Sequence, residues 1–329
     1  MRVLNKAKIE TMLNRLSADN DVYVPMLRGP GTGFFSWKSY DEDYDELVLD
    51  RLNVFMPPKQ IIISPAEKNN IDLMSGGAGA SKKIIFGIRS CDVQGINFQD
   101  EFFGEKEIES DSYHGRRDQT IIIANACYYP APSCFCSSVG IDPLHPVGAD
   151  IIIRDTGKEG YVWEACTDKG ELLTEKTADL LEEKEVTIPI PLPFALQVNF
   201  DGVSEKLADM DDHPLWGKYS EACQTCMLCT YTCPSCYCLD LQAAHWRKAN
   251  YEFSCFDSCA YKNEALSTGG SSSLEEAATR FRNRFLHKLR FYLQNYGKPL
   301  CTGCGRCIAI CPSGASISKI IAEVQEANL

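Results

Sequence analysis

Long apolar runs are missing from this chain. No stretch approaches the roughly 18 uncharged apolar residues expected of a membrane-spanning helix, so none is predicted. The opening MRVLNKAKIETMLNRLSADN is charged throughout and lacks the apolar core of a signal peptide, which predicts a cytoplasmic address. Positive charge is also in short supply: 33 Lys and Arg stand against 45 Asp and Glu, a net charge of −12. That balance argues against a nucleic-acid binder that works by neutralising phosphate. Histidine is sparse, and His114, His145, His213, His245 and His287 fall at no metal-ligand spacing. No nucleophile–base pair and no paired carboxylates suggest a catalytic constellation. RGPGTGF (28–34) lacks the full dinucleotide fingerprint, and no helical pattern follows to aim an N-terminus at a phosphate, so it reads as a plain turn.

What the chain has instead is cysteine, 17 in all. Thiols stay reduced in a cytoplasm, and the odd count does not suit a disulfide scaffold, so these residues read as metal ligands. Twelve of them fall after residue 200, six within CQTCMLCTYTCPSCYC (223–238). There Cys223-x2-Cys226-x2-Cys229-x3-Cys233-Pro234 recurs as Cys301-x2-Cys304-x2-Cys307-x3-Cys311-Pro312. This is the bacterial ferredoxin run, in which a tight loop presents three thiolates and the fourth cysteine serves the neighbouring cluster. One [4Fe–4S] cluster is therefore expected on Cys223, Cys226, Cys229 and Cys311, the other on Cys301, Cys304, Cys307 and Cys233. Zinc is the competing reading, but its sites favour separate pairs of C-x2-C knuckles.

The first 200 residues read as α/β. Ile9, Met12, Leu13 and Leu16 fall at helical spacing. Short apolar runs look like buried strands at Ile61–Ile63, at Ile84, Ile85 and Phe86, at Ile121–Ile123 and at Ile151–Ile153. Polar or Gly-rich turns such as SGGAGAS (75–81) separate them, and strands apolar on both faces suggest a mainly parallel or mixed sheet covered on both sides. The Pro-rich PIPLPF (189–194) marks a hinge. The predicted architecture is an α/β N-terminal domain (1–205) with a further Fe–S site. It leads into a C-terminal α-helical two-cluster ferredoxin-like domain (206–329) carrying a helical insertion at about 240–297. Within that insertion STGGSSS (267–273) looks disordered, and LEEAATRFRNRFLHKLRFYLQNYG (274–297) reads as a helix ended by Gly297 and Pro299. Phe281, Phe285, Leu289 and Leu293 line one face of it, while Arg280, Arg282, Arg284, Lys288 and Arg290 decorate the rest as a solvated face, a screen for anionic clusters or a dock for an acidic partner.

Further cysteines form weaker constellations. Two predicted strands, KKIIFGIRSC and QTIIIANAC, end in Cys91 and Cys127. As parallel neighbours they would bring both thiols to the carboxyl edge of the sheet, where α/β folds place ligands. The following loop returns Cys134 and Cys136, and four soft ligands would suit a third iron–sulfur cluster; small buried core residues are the alternative. Arg89, Arg116 and Arg117 lie beside the candidate thiolates, either offsetting cluster charge and donating hydrogen bonds or standing as solvated surface charge. Cys236 and Cys238, with Cys255 and Cys259, make another set of four, and only Cys166 is left over.

GIRSCD (87–92), NAC…SCFCSSVG (125–140), HPLW (213–216), CPSCYC (233–238), DSC (257–259) and CTGCGRCIAICP (301–312) together resemble a family of dicluster iron–sulfur subunits. It includes the A subunit of anaerobic sulfite reductase, the β subunit of cytoplasmic sulfhydrogenase, and related subunits of NAD(P)H-linked hydrogenase or transhydrogenase complexes. The resemblance covers roughly 84–329. It implies an electron-transfer subunit of an anaerobic, cytoplasmic, hetero-oligomeric oxidoreductase complex, relaying electrons between a flavin/NAD(P)H oxidoreductase subunit and a further redox subunit. It also implies metal at Cys91, Cys127, Cys134, Cys136, Cys236, Cys238 and Cys259, whereas Cys255 is outside the family pattern. Two other classes compete: an oxidoreductase subunit with its own flavin or substrate site in the N-terminal domain, and a zinc-stabilised interaction module.

Overall fold

A computed structural model describes residues 1–63, 82–104, 111–246, 249–260 and 276–328; for 111–112, 241–246 and 249–255 it describes the backbone alone. SGGAGAS and STGGSSS lie outside the described residues. The chain forms two compact units. One contains the described residues up to Ala131 together with Ile141–Pro193, and the other Pro132–Gly140 together with 194–328. The break after Pro193 falls inside the Pro-rich PIPLPF.

The first unit is built on nine strands: β1 (Arg2–Leu4), β2 (Asp21–Arg28), β3 (Gly31–Ser36), β4 (Asp45–Leu47), β5 (Lys83–Ile88), β6 (Thr120–Asn125), β7 (Ile151–Asp155), β8 (Tyr161–Ala165) and β9 (Leu181–Glu183). Their order is β3-β2-β5-β6-β7-β8-β1-β9, with β4 also paired to β2. The four central strands β2, β5, β6 and β7 run parallel, and antiparallel strands finish both sides. The sheet is mixed, as strands apolar on both faces predict: Ile84, Ile85, Phe86, Ile122, Ile123, Ile151 and Ile153 are all buried. Helix α1 (Ile9–Asp19) buries Ile9, Met12, Leu13 and Leu16, the four residues whose spacing announces it. RGPGTGF is a hairpin turn, with Arg28 facing Gly31 across it.

One expected strand is not a strand. Ile61 and Ile62 close a single helical turn, Lys59–Ile62, and Ile63 follows it. Pro57 and Pro58 precede that turn, and proline with its fixed φ suits a helix start. Three consecutive apolar residues fit a buried turn as well as a buried strand, so burial was legible there and conformation was not. Beyond β5, helix α2 (Ser90–Phe103) starts at the carboxyl edge of the sheet, and α3 (Asp111–Asp118) leads into β6. After β8, α4 (Asp168–Lys176) begins with Thr167 accepting a hydrogen bond from the Gly170 amide.

The second unit is mostly helical. Helix α5 (Pro214–Ala222) is capped by His213, whose ring nitrogen accepts from the Leu215 amide. A long helix runs as α6 (Ala277–Leu286), a π-helical segment (His287–Phe291) and α7 (Tyr292–Tyr296). It ends at Gly297, which adopts φ 72° and donates its amide to the Leu293 carbonyl. Helix α8 (Ile317–Glu326) closes the described chain. Between the two cysteine runs, β10 (Leu239–Trp246) and β11 (Ala249–Phe256) form an antiparallel hairpin. The core gathers Leu215 and Trp216 of α5, Phe281, Phe285 and Leu289 of the long helix, and Ile317, Ile320, Ile321 and Val324 of α8. Trp216 stacks on Phe285 at 6.2 Å and Tyr219 on Phe281 at 6.1 Å, fixing the long helix beside α5. Among the described residues, no helix is long and apolar enough to cross a membrane.

Candidate metal centres

The two cysteine runs share one backbone design. In each, the residue before the second cysteine and the residue after it take left-handed conformations: Thr225 and Met227 in the first run (φ 48° and 60°), Gly303 and Gly305 in the second (φ 60° and 74°). A short helix then follows, Leu228–Tyr231 in one run and Arg306–Ile310 in the other. The left-handed residues on either side of the second cysteine turn the loop tightly around it.

The glycines have a further reason. A Cβ on Gly303 would lie 2.5 Å from the Cys136 Cα, and one on Gly305 would lie 2.2 Å from the Ser133 carbonyl oxygen. The SCFC segment presses against the second loop at this point. The Phe135 amide donates to the Gly303 carbonyl at 2.7 Å, and the Cys134 thiol donates to the Cys304 carbonyl at 3.5 Å. In this way Cys134 and Cys136 belong to the second unit, while Cys91, in the first turn of α2, and Cys127, just after β6, belong to the sheet unit.

Fourth cysteines lie across from the opposite run. Cys233, from the first run, lines a small cavity with Cys301, Cys304 and Cys307 of the second. Arg284, Lys288, Thr302 and Phe135 complete much of its wall. Reciprocally, the Cys223 thiol is pushed up first by burial, against an opposing hydrogen bond from the Thr225 backbone, and then by the nearby Cys229, Cys311 and Cys226. Cys233 thus stands near the second run and Cys311 near the first. Cys226 is exposed, and Cys223, Cys229, Cys307 and Cys311 are half-buried; Cys233, Cys301 and Cys304 are buried, so the second set is the less exposed of the two. One site is therefore outer and the other inner.

A second small cavity is lined by Cys236, Cys238 and Cys259 together with Tyr237, His287, Leu300 and again Arg284 and Lys288. The DSC segment arrives there because the Asp257 amide donates to the Cys238 carbonyl at 3.0 Å, and buried Ser258 shares a 2.9 Å hydrogen bond with Thr230. Cys238 is lowered to about 6, chiefly by its hydrogen bond with Cys259; the same bond, with burial, raises Cys259. The Cys255 side chain lies outside the described residues.

Sequence reading placed the long helix but left its cationic side open between a solvated face, a screen for clusters and a dock. Arg284 and Lys288 do not decorate a solvated face: they are only 5% and 3% exposed. Arg284 donates to the Cys229 carbonyl at 2.9 Å and reaches the Cys236 sulfur at 3.7 Å. Lys288 donates to the Cys233 sulfur at 3.3 Å, the Ser235 hydroxyl at 3.1 Å and the Leu300 carbonyl at 3.0 Å. Burial alone would lower both side chains. The cysteines around them outweigh it and hold both above their ordinary values. The signal was present in the sequence, since Arg280, Arg284 and Lys288 recur every four residues, a stripe on one helical face.

The donor set fits clusters. Burial pushes Cys301 up to about 12 and Cys307 higher, so as free thiols they are neutral near pH 7. Neutral Cys301 and Cys307 leave the lowered thiol of Cys238 as counter-charge to two buried cations, and among the described residues neither cation pairs with a carboxylate. Metal-bound thiolates supply further counter-charge. Among the described residues, no group of three or more His, Cys, Asp or Glu is arranged to hold a metal ion.

In the sheet unit, Arg89 donates to the Leu49 carbonyl at 2.8 Å and the Ala126 carbonyl at 3.1 Å, beside Cys127, whose thiol burial raises and Arg89 opposes. Arg116 donates to the Ile62 carbonyl at 2.6 Å, and Arg117 pairs with Asp100 at 3.0 Å. Cys166 is exposed just after β8.

Residues 222–315 match the family described as a 4Fe-4S dicluster domain. Over 336 aligned residues the chain is 30% identical to sulfhydrogenase 2 subunit beta of Pyrococcus furiosus, with 95% of each chain covered. No solved structure matches it.

Proposed function

Because the chain belongs to the sulfhydrogenase β-subunit family, with a dicluster domain that implies two [4Fe–4S] clusters, we propose that it relays electrons between two partners. One partner is a flavin subunit that oxidises NAD(P)H, the other a further redox subunit of hydrogenase, transhydrogenase or sulfite reductase type, in a cytoplasmic, anaerobic complex. The observation that supports this reading is that Cys233 stands beside Cys301, Cys304 and Cys307 while Cys311 lies near Cys223, with the first set the more exposed of the two.

Cys223, Cys226, Cys229 and Cys311 hold the outer cubane, and Cys301, Cys304, Cys307 and Cys233 the inner one. Such clusters accept and release electrons one at a time without a bond being made to substrate. The chain's own work is to keep water from the inner site, place hydrogen-bond donors on its sulfurs and present the outer site at the surface. The cavity lined by Cys236, Cys238 and Cys259 supports a third centre beside the inner cubane. Cys91 and Cys127 with Arg89, and Cys134 and Cys136, are the further candidate ligands, with Arg116 and Arg117 the more remote charges.

The test is anaerobic reconstitution. Clusters on this chain should be reduced by NAD(P)H only when a co-purifying flavoprotein is added, and should be reoxidised by the other co-purifying subunit. Reduction by NAD(P)H with the chain alone would overturn the relay and favour a flavin site of its own.

A further inference from the structure

The two cavities share part of their walls. Arg284 and Lys288 line both the space ringed by Cys233, Cys301, Cys304 and Cys307 and the space ringed by Cys236, Cys238 and Cys259. They stand four residues apart, on one face of a helix that passes from α-helical to π-helical geometry between them. Like charges at that spacing repel each other, and burial makes each more costly. Such an arrangement persists where the surroundings are strongly anionic. A π-helical turn is also a frequent companion of function, because it re-aims side chains that a regular helix would point elsewhere.

We propose that Lys288 and Arg284 are positioning residues for electron transfer: a shared cationic wall that raises the reduction potentials of the inner cubane and of the neighbouring three-cysteine centre together. The inference rests on the proposed cluster assignment. The reasoning is electrostatic. A reduced cluster carries one more negative charge than an oxidised one, so a fixed buried cation stabilises the reduced form preferentially. Donation to a cluster sulfur acts in the same direction. Lys288 reaches Cys233 of the inner site directly, and Arg284 reaches Cys236 of the next. Lys288 faces Cys233, Cys236 and Cys301, whereas Arg284 also bonds the Cys229 carbonyl. The two cations therefore differ in reach. Lys288 acts on the inner pair of centres, and Arg284 extends to the outer cubane.

EPR-monitored redox titration of the iron-loaded chain tests this, with the outer cubane identified by the change Cys226→Ser makes to its signal. Lys288→Gln is expected to shift the inner cubane and the third centre to more negative potential and leave the outer cubane where it was. Arg284→Gln is expected to shift all the centres, and Lys288→Arg to restore wild-type values. Unchanged potentials in both loaded glutamine variants would overturn the proposal, as would an equal shift of every centre in Lys288→Gln. If the glutamine variants lose iron, retention of iron by Lys288→Arg supports the role of charge, and loss there too would make the role one of packing and overturn it. Iron analysis of the wild-type chain separates the two levels. Iron for two cubanes with no third signal would remove the third centre but leave the inner-cubane shift as a full test of Lys288.

Discussion

At the scale of single residues, the two cysteine loops solve one problem with different side chains. Both need left-handed backbone at two positions, a conformation that costs an ordinary residue roughly 1–2 kcal/mol. The first loop accepts that cost at Thr225 and Met227. The second cannot carry a side chain there, because Cys136 and Ser133 occupy the space a Cβ would need. Gly303→Ala and Gly305→Ala are therefore expected to lower iron content and thermal stability. Thr225→Gly and Met227→Gly should retain iron, the relief of strain offsetting the added chain entropy. Iron analysis and thermal melts of the four variants check this, and equal losses in all four would contradict it. The spacing of the cysteines was legible from sequence because ligation fixes it. The glycines of CTGCGRC were legible only as loop residues, since the segment that presses on them lies far away in the chain.

At the scale of elements, the long helix does two jobs with two faces. Phe281, Phe285 and Leu289 bury against α5 and α8, as their four-residue spacing predicts. A second stripe, containing Arg284 and Lys288, faces the cysteines. Phe285→Ala removes a side chain that is 2% exposed and stacked on Trp216. It is expected to destabilise this unit by about 3–5 kcal/mol, measured by denaturation of the loaded protein; a cost under about 1 kcal/mol would mean that the helix is held by its cation–cysteine contacts instead. The apolar face could be read from the sequence because water is the only alternative environment for it. The cationic face could not, because periodicity shows that charges share a direction and not what lies in that direction. Ile61–Ile63 shows the same limit from the other side, where burial was plain and three residues were too few to set a period.

At the scale of the whole molecule, the chain joins two units that each have an apolar core, and the second also buries cysteines and two cations beside its core. The sheet unit buries Leu13, Val22, Ile84, Phe86, Ile123 and Ile151 in one apolar cluster. The parallel strands of that unit were visible in the sequence as runs apolar on both faces. The placement of Cys134 and Cys136 with the second unit was not, because it depends on a pairing across about 170 residues. Iron removal by chelator under anaerobic conditions should loosen the second unit, since folding and ligand deprotonation are coupled to metal there. Amide exchange should then rise across 214–222, 277–296 and 317–326 while β5, β6 and β7 stay protected; uniform loss of protection would contradict the division. The central claim, two exchanged four-cysteine cluster sites, meets its most direct test in iron and sulfide analysis with EPR of the anaerobically purified chain. The account expects at least about eight irons per chain and signals from two [4Fe–4S] clusters, and fewer irons, or zinc in their place, would contradict it.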